Sequence, residues 1–240
     1  MSETLQITID GVAVSCRRGQ TIIQAADEAG IYIPRLCYVK ELVPSGRCRV
    51  CTVNVNGRNM AACTTPVAEG MVILNNTDKL IDFRRAIVEM LLVEGNHICP
   101  YCEKSGNCEL QALAYRLKIL APRFPYMFPR RAVDMSHPDL WIDRNRCIQC
   151  GRCERASRDL DGKSIFGFVA RSGAMQLACD ADSLGDTNAA AVDRAVEMCP
   201  TGALLVKRRG FIEPYGTRKY DREPIGADIE KKSAATAKQT

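Results

Sequence analysis

An α+β fold is the class that this 240-residue sequence predicts, and two observations support it. Short stretches of alternating apolar residues, bounded by turn residues, occur towards both ends of the chain, whereas the clearest helical periodicity lies between them. In addition, eleven of the thirteen cysteines fall into three groups, and each group has its own part of the sequence. Together these features divide the chain into five segments: residues 1–76, 77–120, 121–140, 141–212 and 213–240.

The composition excludes several classes of protein. The hydrophobic fraction is 46%, and no run approaches the roughly 18 apolar residues of a membrane span. The N-terminus has no basic stretch followed by an apolar one, so no secretory signal is predicted. Abundant cysteine without export favours metal ligation in a reducing cytoplasm over disulfides. A net charge of +5 is too mild to indicate nucleic-acid binding. We therefore expect a cytoplasmic protein with no nucleic-acid partner and no direct membrane insertion.

Residues 1–76 carry the signals of a β-grasp layout. Apolar alternation begins in TLQITI and continues beyond an Asp-Gly turn at residues 10–11, which predicts a β-hairpin. A second strand pair is predicted around the Asn-Gly turn at residues 56–57. Between the two hairpins, Thr21-x-x-Gln24 is a capping-box pattern that opens a short helix.

The middle of the chain is predicted to be helical. Residues 77–95 form the strongest helix pattern, with Asn76 or Thr77 as N-cap and Gly95 after the end. Its apolar face is predicted to consist of Leu80, Phe83, Ile87, Met90 and Leu91. A second helix is predicted from about Cys108 to Leu120. Three prolines within APRFPYMFPRR then indicate that residues 121–140 are an extended surface connector.

Residues 141–212 are predicted to form a small α+β domain. Its strands are WID, IFGFVA, AMQLAC and ALLV, and a helix is expected at residues 188–198. Residues 213–240 are polar and mixed in charge, so we expect a tail that only a partner could order.

The first cysteine group, called site 1, predicts a [2Fe–2S] cluster. Its pattern, C-x10-C-x2-C-x11-C, supplies four thiolates, although the first interval is longer than in plant-type ferredoxins. The four predicted ligands are Cys37, Cys48, Cys51 and Cys63. The alternative is a zinc site that uses Cys48, Cys51 and two further cysteines. The long first interval resembles that of the ferredoxin-like domain at the N-terminus of complex I's large peripheral subunit.

The second group, called site 2, predicts a [4Fe–4S] cluster in the segment NHICPYCEKSGNCELQ. Three cysteines leave a cubane one ligand short, and a histidine lies two residues upstream. The segment resembles the His/Cys3-ligated segment shared by complex I, iron-only hydrogenases and NAD-linked diaphorases. In most of these the histidine stands where this chain has Gly95. The predicted ligands are His97, Cys99, Cys102 and Cys108. The alternative for His97 is a surface residue that caps helix carbonyls.

The third group, called site 3, predicts a second [4Fe–4S] cluster. C-x2-C-x2-C followed by a distant Cys-Pro is half of the bacterial ferredoxin pattern. Ser157 stands where the ligand to a second cluster would be, and no second such triad exists in the sequence. The predicted ligands are Cys147, Cys150, Cys153 and Cys199, the alternative for Cys199 being an ordinary buried thiol. No role is assigned to Cys16 or Cys179.

Signals for substrate chemistry are missing from the sequence. There is no G-x-G-x-x-G after a predicted strand and no phosphate-binding loop. Of the two histidines, one is a predicted cluster ligand and neither is placed to act as a general base, so no Ser/His/Asp set can be assembled. We therefore expect one [2Fe–2S] and two [4Fe–4S] clusters, no catalytic residue, and no substrate-converting site in this chain.

The order of the three motifs, the short form EGNHICPYC and the single-cluster ferredoxin domain near the chain's end resemble one family over about residues 3–212. This is the small, gamma-type diaphorase subunit of soluble NAD-reducing nickel–iron hydrogenases. The resemblance implies that electrons pass between a nickel–iron hydrogenase small subunit and a flavin- and NAD-binding diaphorase subunit. The alternatives are the equivalent subunit of an NAD-linked formate dehydrogenase or complex I-like assembly, a freely diffusing ferredoxin, and a zinc-stabilised binding module.

Overall fold

The computed structural model describes residues 4–236, and its strands form three separate sheets. The N-terminal sheet has five strands: β1 (Thr4–Ile9), β2 (Val12–Arg17), β3 (Thr52–Val55), β4 (Arg58–Ala61) and β5 (Val72–Leu74). Their order is β2-β1-β5-β3-β4, with β1 and β5 parallel and the other neighbours antiparallel. Helix α1 (Ile22–Glu28) buries its apolar residues against this sheet. The predicted β-grasp layout is confirmed.

The turns and the cap of this domain follow from local sequence. Both residues of the Asp-Gly and Asn-Gly turns have positive φ, between 47° and 89°, as tight hairpin turns require. At the start of α1, the Thr21 N–H donates to Gln24 Oε1 over 2.8 Å, which completes the predicted capping box.

Helix α2 (Asp78–Glu94) begins after the N-cap Thr77 and ends before Gly95, as predicted, but its buried face differs from the predicted one. Phe83 and Met90 are exposed. Arg84 is buried instead, because its guanidinium donates to four oxygens, on Val50, Thr52 and Asn75. Apolar periodicity alone would predict a hydrophobic residue at this buried position. An arginine can occupy it because its guanidinium N–H groups are hydrogen-bonded.

Helix α3 (Glu109–Arg116) is shorter than predicted, because Leu117 ends it and Lys118 has a positive φ of 56°. The connector lies against α2, with the Met127 N–H donating to the Val93 carbonyl over 3.0 Å. Towards its C-terminal end the connector contains a short strand, β6 (Val133–Asp134), which joins the next sheet.

The C-terminal domain contains two small antiparallel sheets. One has the order β10-β7-β6, with β7 (Leu140–Asp143) central and β10 (Leu204–Val206) at an edge. The other pairs β8 (Phe166–Val169) with β9 (Gln176–Cys179). Helix α4 (Arg152–Asp159) packs against α5 (Arg194–Glu197). The helix predicted over 188–198 is confined to α5, because the Asp161 carboxylate accepts the N–H groups of its first two residues and fixes its start there.

The C-terminal segment differs from the expected tail. Residues 213–236, called the C-terminal segment below, contain α6 (Lys219–Arg222) and α7 (Ala227–Thr236). Arg218 and Ile225 are buried, with Ile225 in an apolar cluster and Arg218 hydrogen-bonded to backbone carbonyls of the site 2 loop. The polar composition of the segment gave no indication of these contacts, because the partners of Arg218 are backbone carbonyls. Residues 237–240 of the predicted tail lie outside the described residues.

Among the helices within residues 4–236, none is long and apolar enough to cross a membrane.

Candidate iron–sulfur centres

Three of the site 1 cysteines lie in the loop between α1 and β3, and the fourth, Cys63, follows β4. Hydrogen bonds link the Cys37 sulfur to those of Cys48 and Cys63, and the Cys51 sulfur to that of Cys63. These bonds lower the pKa of Cys37 and lower that of Cys51 to about 7. The Cys37 N–H also donates to Cys48 Sγ over 3.4 Å, and backbone donors to sulfur are typical of iron–sulfur loops. The structure therefore brings all four predicted ligands of site 1 together.

The site 1 loop is held from α2. Arg84 donates to the carbonyls of Val50 and Thr52, the two residues that flank Cys51. A positive φ of 64° at Gly46 lets the same loop turn tightly before Cys48. Loop shape at site 1 is thus fixed by groups that are not ligands.

At site 2, the four predicted ligands line one cavity. Cys99 begins a 3₁₀ helix (Cys99–Tyr101), Cys102 follows that helix, and Cys108 is the N-cap of α3. The opposite wall includes Gly202, where a Cβ would lie 2.7 Å from Cys102 Sγ. Only a glycine leaves room for the sulfur at this point.

His97 fits the role of fourth ligand at site 2. Its Nε2 atom is buried and has no hydrogen-bond partner among the described residues. Burial lowers the pKa of His97 to about 4, so the imidazole is neutral at pH 7 and can offer a lone pair. A Cβ on Gly95 would lie 2.5 Å from Nε2, so the glycine that occupies the commoner histidine position makes space for this ring.

Site 3 is a second cavity, lined by Cys147, Cys150, Cys153 and Cys199. The first cysteine follows a 3₁₀ helix (Arg144–Arg146), the third lies in the first turn of α4, and the fourth follows α5. Ser157 is fully buried and accepts the Ile165 N–H over 3.0 Å, so it anchors a loop.

Most of the thiols at sites 2 and 3 are deeply buried. Burial raises the pKa of the Cys108 and Cys150 thiols to about 12, and that of Cys147 to about 11. Iron binds the thiolate, so assembly of a cluster on these residues releases protons. Within residues 4–236, no three His, Cys, Asp or Glu side chains are placed to hold a single metal ion. Ligand side chains that surround one cavity, as at sites 2 and 3, suit a cluster of several irons and sulfides.

Three arginines at these sites have no signal in the sequence; two are buried and the third, Arg146, is half-buried. Arg152 makes a bidentate ion pair with Glu109, both contacts at 2.6 Å, and so joins α4 at site 3 to α3 at site 2. Arg155 donates to the Cys37 carbonyl over 2.6 Å and so joins α4 to site 1. Arg146 lies 3.7 Å from Cys102 Sγ. A lone arginine gives no periodic or spacing pattern, so only the tertiary structure identifies these residues.

All three sites meet in one buried apolar cluster, here called the junction. It contains one cysteine from each site, namely Cys37, Cys108 and Cys150. The Glu109 N–H also donates to the Pro200 carbonyl over 2.9 Å, which joins the residue after a site 2 ligand to the residue after a site 3 ligand. The two ferredoxin-like domains and the helical segment between them thus define an iron–sulfur protein of the electron-transfer class.

Family models match three consecutive parts of the chain. Residues 2–78 match a 2Fe-2S iron-sulfur cluster binding domain. Residues 84–123 match the NADH-ubiquinone oxidoreductase-G iron-sulfur binding region, and residues 138–205 match the ferredoxin-like domain of NADH-quinone oxidoreductase subunit 3.

Similar proteins specify the family further. NAD-reducing hydrogenase HoxS subunit gamma of Cupriavidus necator is 44% identical over 225 residues, which cover 93% of this chain and 96% of that protein. A solved NAD+-reducing [NiFe]-hydrogenase, in the H2-reduced state, contains a chain with a TM-score of 0.91 and 44% identity, covering 95% of this chain and 98% of that one. The chain belongs to the family of NAD-reducing hydrogenase gamma subunits.

More distant relatives are much longer proteins. The mitochondrial NADH-ubiquinone oxidoreductase 78 kDa subunit of Candida albicans is 35% identical over 211 residues, which are 86% of this chain but 29% of that subunit. The NADPH-Fe(3+) oxidoreductase subunit alpha of Geobacter sulfurreducens is 34% identical, over 85% of this chain and 24% of its own length. The predicted relation to the first part of complex I's large peripheral subunit is confirmed.

Proposed function

We propose that this chain is the iron–sulfur subunit that relays electrons within an NAD-reducing hydrogenase. One [2Fe–2S] cluster is held in residues 1–76 by Cys37, Cys48, Cys51 and Cys63. One [4Fe–4S] cluster is held in residues 77–120 by His97, Cys99, Cys102 and Cys108, and another in residues 141–212 by Cys147, Cys150, Cys153 and Cys199. Residues 121–140 connect these two parts, and residues 213–240 follow the last.

The junction is the observation that carries this proposal. Because a ligand of each site packs into the same apolar cluster, the three clusters are held side by side within one rigid, water-poor interior. Three independent binding modules would have no reason to share a core. Successive one-electron transfers require short distances between clusters, and a shared core keeps ligands of the three sites close together.

The partners and the compartment follow from this role. Iron–sulfur clusters exchange electrons one at a time, so hydrogen and NAD must react at centres in other chains. We assign these centres to a nickel–iron hydrogenase small subunit on one side and a flavin- and NAD-binding diaphorase subunit on the other. Support comes from the names of the protein and of the structure to which the chain is similar over nearly its whole length. Clusters held by reduced thiolates also favour the cytoplasm.

The test begins with anaerobic purification of the tagged chain together with its native partners. We expect co-purification of a flavoprotein and a nickel protein, and about ten irons and ten sulfides attributable to this chain. Partner subunits are identified by mass spectrometry, and the chain is also quantified alone after separation. Zinc without sulfide in the purified assembly would contradict the proposal, as would migration as an isolated 26.5 kDa protein.

A matched pair of cysteine variants then tests the assignment at site 1. Cys48→Ala should remove about two irons and the [2Fe–2S] electron paramagnetic resonance (EPR) signal while both cubane signals remain, because the ligand sets share no residue. Cys16→Ala is the control, since Cys16 is buried in the same domain and its Sγ donates to the Leu5 carbonyl over 3.6 Å. Loss of all signals in Cys48→Ala would contradict three separate ligand sets.

A further inference from the structure

Arg146 stands between the two cubane sites. It is the residue before Cys147, a ligand of site 3, yet its side chain lines the cavity of site 2. Its Nη1 donates to Cys102 Sγ over 3.7 Å, and only 16% of the side chain is exposed. A permanent positive charge therefore lies in contact with a ligand of one cluster and next in sequence to a ligand of the other.

The position of this guanidinium is fixed from several sides. Its Nε makes an ion pair with Asp143 at 2.9 Å, and its plane lies over the Trp141 ring, 5.3 Å from the ring centroid. The Arg146 carbonyl accepts the Thr201 hydroxyl over 2.8 Å. A Cβ on Gly202 would lie 3.4 Å from Arg146 Nη1, so the glycine leaves room for the side chain. These contacts hold the charge against Cys102.

From this geometry we infer that Arg146 raises the reduction potential of the site 2 cluster and leaves that of site 3 nearly unchanged. Reduction adds one negative charge to a cluster, and a nearby cation with a hydrogen bond to a ligand sulfur stabilises that charge. The Asp143 carboxylate offsets part of the effect, but its Oδ2 binds the far side of the guanidinium, at Nε. Arg146 thus acts on the site 2 cluster through the Cys102 sulfur. It favours reduction of the site 2 cluster relative to the site 3 cluster.

The inference rests on the proposed function only in that sites 2 and 3 must hold clusters. The test is a potentiometric titration of the purified complex, monitored by EPR, for the wild type, Arg146→Gln and Arg146→Lys. At the wild-type midpoint of site 2, Arg146→Gln should lower the ratio of reduced to oxidised cluster about tenfold, which is about 59 mV for one electron. Arg146→Lys keeps the charge and should show a smaller change.

Arg144→Gln is the matched control, because it removes the same charge from the same 3₁₀ helix. The Arg144 side chain donates instead to the carbonyls of Leu177 and Ala132, away from site 2. The site 2 potential should stay at its wild-type value in this variant, and only site 2 serves as the control, because the Arg144 charge acts on Cys147 of site 3. Equal shifts of the site 2 potential in Arg144→Gln and Arg146→Gln, or no shift in either, would overturn the inference.

Iron content separates the possible failures. Retention of about ten irons in Arg146→Gln, together with the shift, supports tuning of a bound cluster. Loss of about four irons from Arg146→Gln and Arg146→Lys alike would overturn the tuning role and show that the residue only maintains the site. Absence of the site 2 signal from the wild-type complex would overturn the proposed function itself.

Discussion

The two histidines of this chain illustrate how the surroundings of one residue determine what it can do. At His137, Nδ1 accepts the N–H groups of Asp139 and Leu140, and Nε2 lies 3.0 Å from the Ala189 carbonyl. Both of its ring nitrogens are thus occupied by the backbone. At His97, which lines the site 2 cavity, Nε2 is buried and lacks a hydrogen-bond partner among the described residues. A buried lone pair without a donor is costly unless it binds something.

Replacing His97 with cysteine should keep a cluster at site 2 but lower its reduction potential. A thiolate adds a negative charge where a neutral imidazole stood, and this charge favours the oxidised cluster. EPR-monitored titration of the complex, with iron analysis, measures the change. His137→Gln is the control, since it alters a histidine remote from the clusters. An unchanged potential in His97→Cys would contradict ligation by His97.

Among individual residues, the sequence predicted those whose chemistry depends on spacing. The three cysteine groups were identifiable because iron–sulfur loops need thiolates at short, fixed intervals. Arg146, Arg152 and Arg155 were not identifiable, since their partners are a sulfur, a carboxylate and carbonyls far away in sequence. Ser157 was noted as the replacement for a ligand, whereas its hydrogen bond to Ile165 emerged only from the structure.

Among the elements, the strands, turns and caps were predicted best. The hairpin turns and the α1 capping box depend on neighbouring residues, which the sequence displays directly. The buried face of α2 was predicted only in part, since Leu80 is buried whereas Phe83 and Met90 are exposed. The C-terminal segment is helical where a tail without a partner was expected to be unordered. Both differences depend on arginines that satisfy distant backbone carbonyls. Arg84 does so for α2 and Arg218 for the C-terminal segment.

The C-terminal segment fastens the loop between Cys102 and Cys108. Arg218, which is 1% exposed, donates to the carbonyls of Glu103 and Ser105 in that loop. The Tyr220 N–H donates to the Gly106 carbonyl over 2.8 Å. A segment with a polar composition thus acts as a brace for site 2.

Arg218→Ala should therefore weaken iron retention at site 2 in particular. Two buried carbonyls lose their donor, which costs about 1–3 kcal/mol each in local stability. Iron release to a chelator, followed by the EPR signal of each cluster, should be faster at site 2 than in the wild type. Arg222→Ala, at an exposed position of α6, is the control and should release iron at the wild-type rate. Uniform acceleration at all three sites in Arg218→Ala would contradict a local brace.

In the molecule as a whole, α4 connects the three sites. Its first turn carries Cys153, while Arg152 reaches the start of α3 and Arg155 reaches the Cys37 loop. Domain-by-domain sequence patterns describe each site separately and carry no information about contacts between domains. The shared junction and these two arginines are tertiary features, and they turn three local motifs into one structure.

Replacing Arg155 with methionine should loosen the N-terminal domain from the other two sites. The guanidinium donates to the carbonyls of Cys37, Val43 and Gly151, at 2.6, 2.6 and 3.0 Å. Methionine fills much of the space but leaves the Cys37 and Val43 carbonyls without this donor, a loss of about 3 kcal/mol, whereas Gly151 still accepts the backbone N–H of residue 155. For a chain of this length we expect the apparent Tm of the cluster-loaded protein to fall by about 6–12 °C.

The matched control for this change is Arg158→Met on the same helix. Arg158 is exposed and pairs with its neighbour Asp159, and exposed ion pairs contribute little to stability. Its apparent Tm should stay within about 2 °C of the wild type. Because Arg155 holds the Cys37 carbonyl, iron loss in Arg155→Met should begin at site 1, as measured by the [2Fe–2S] signal during heating. Equal effects of the two variants, or iron loss that begins at site 3, would show that α4 does not join the N-terminal domain to the cubane sites through this arginine.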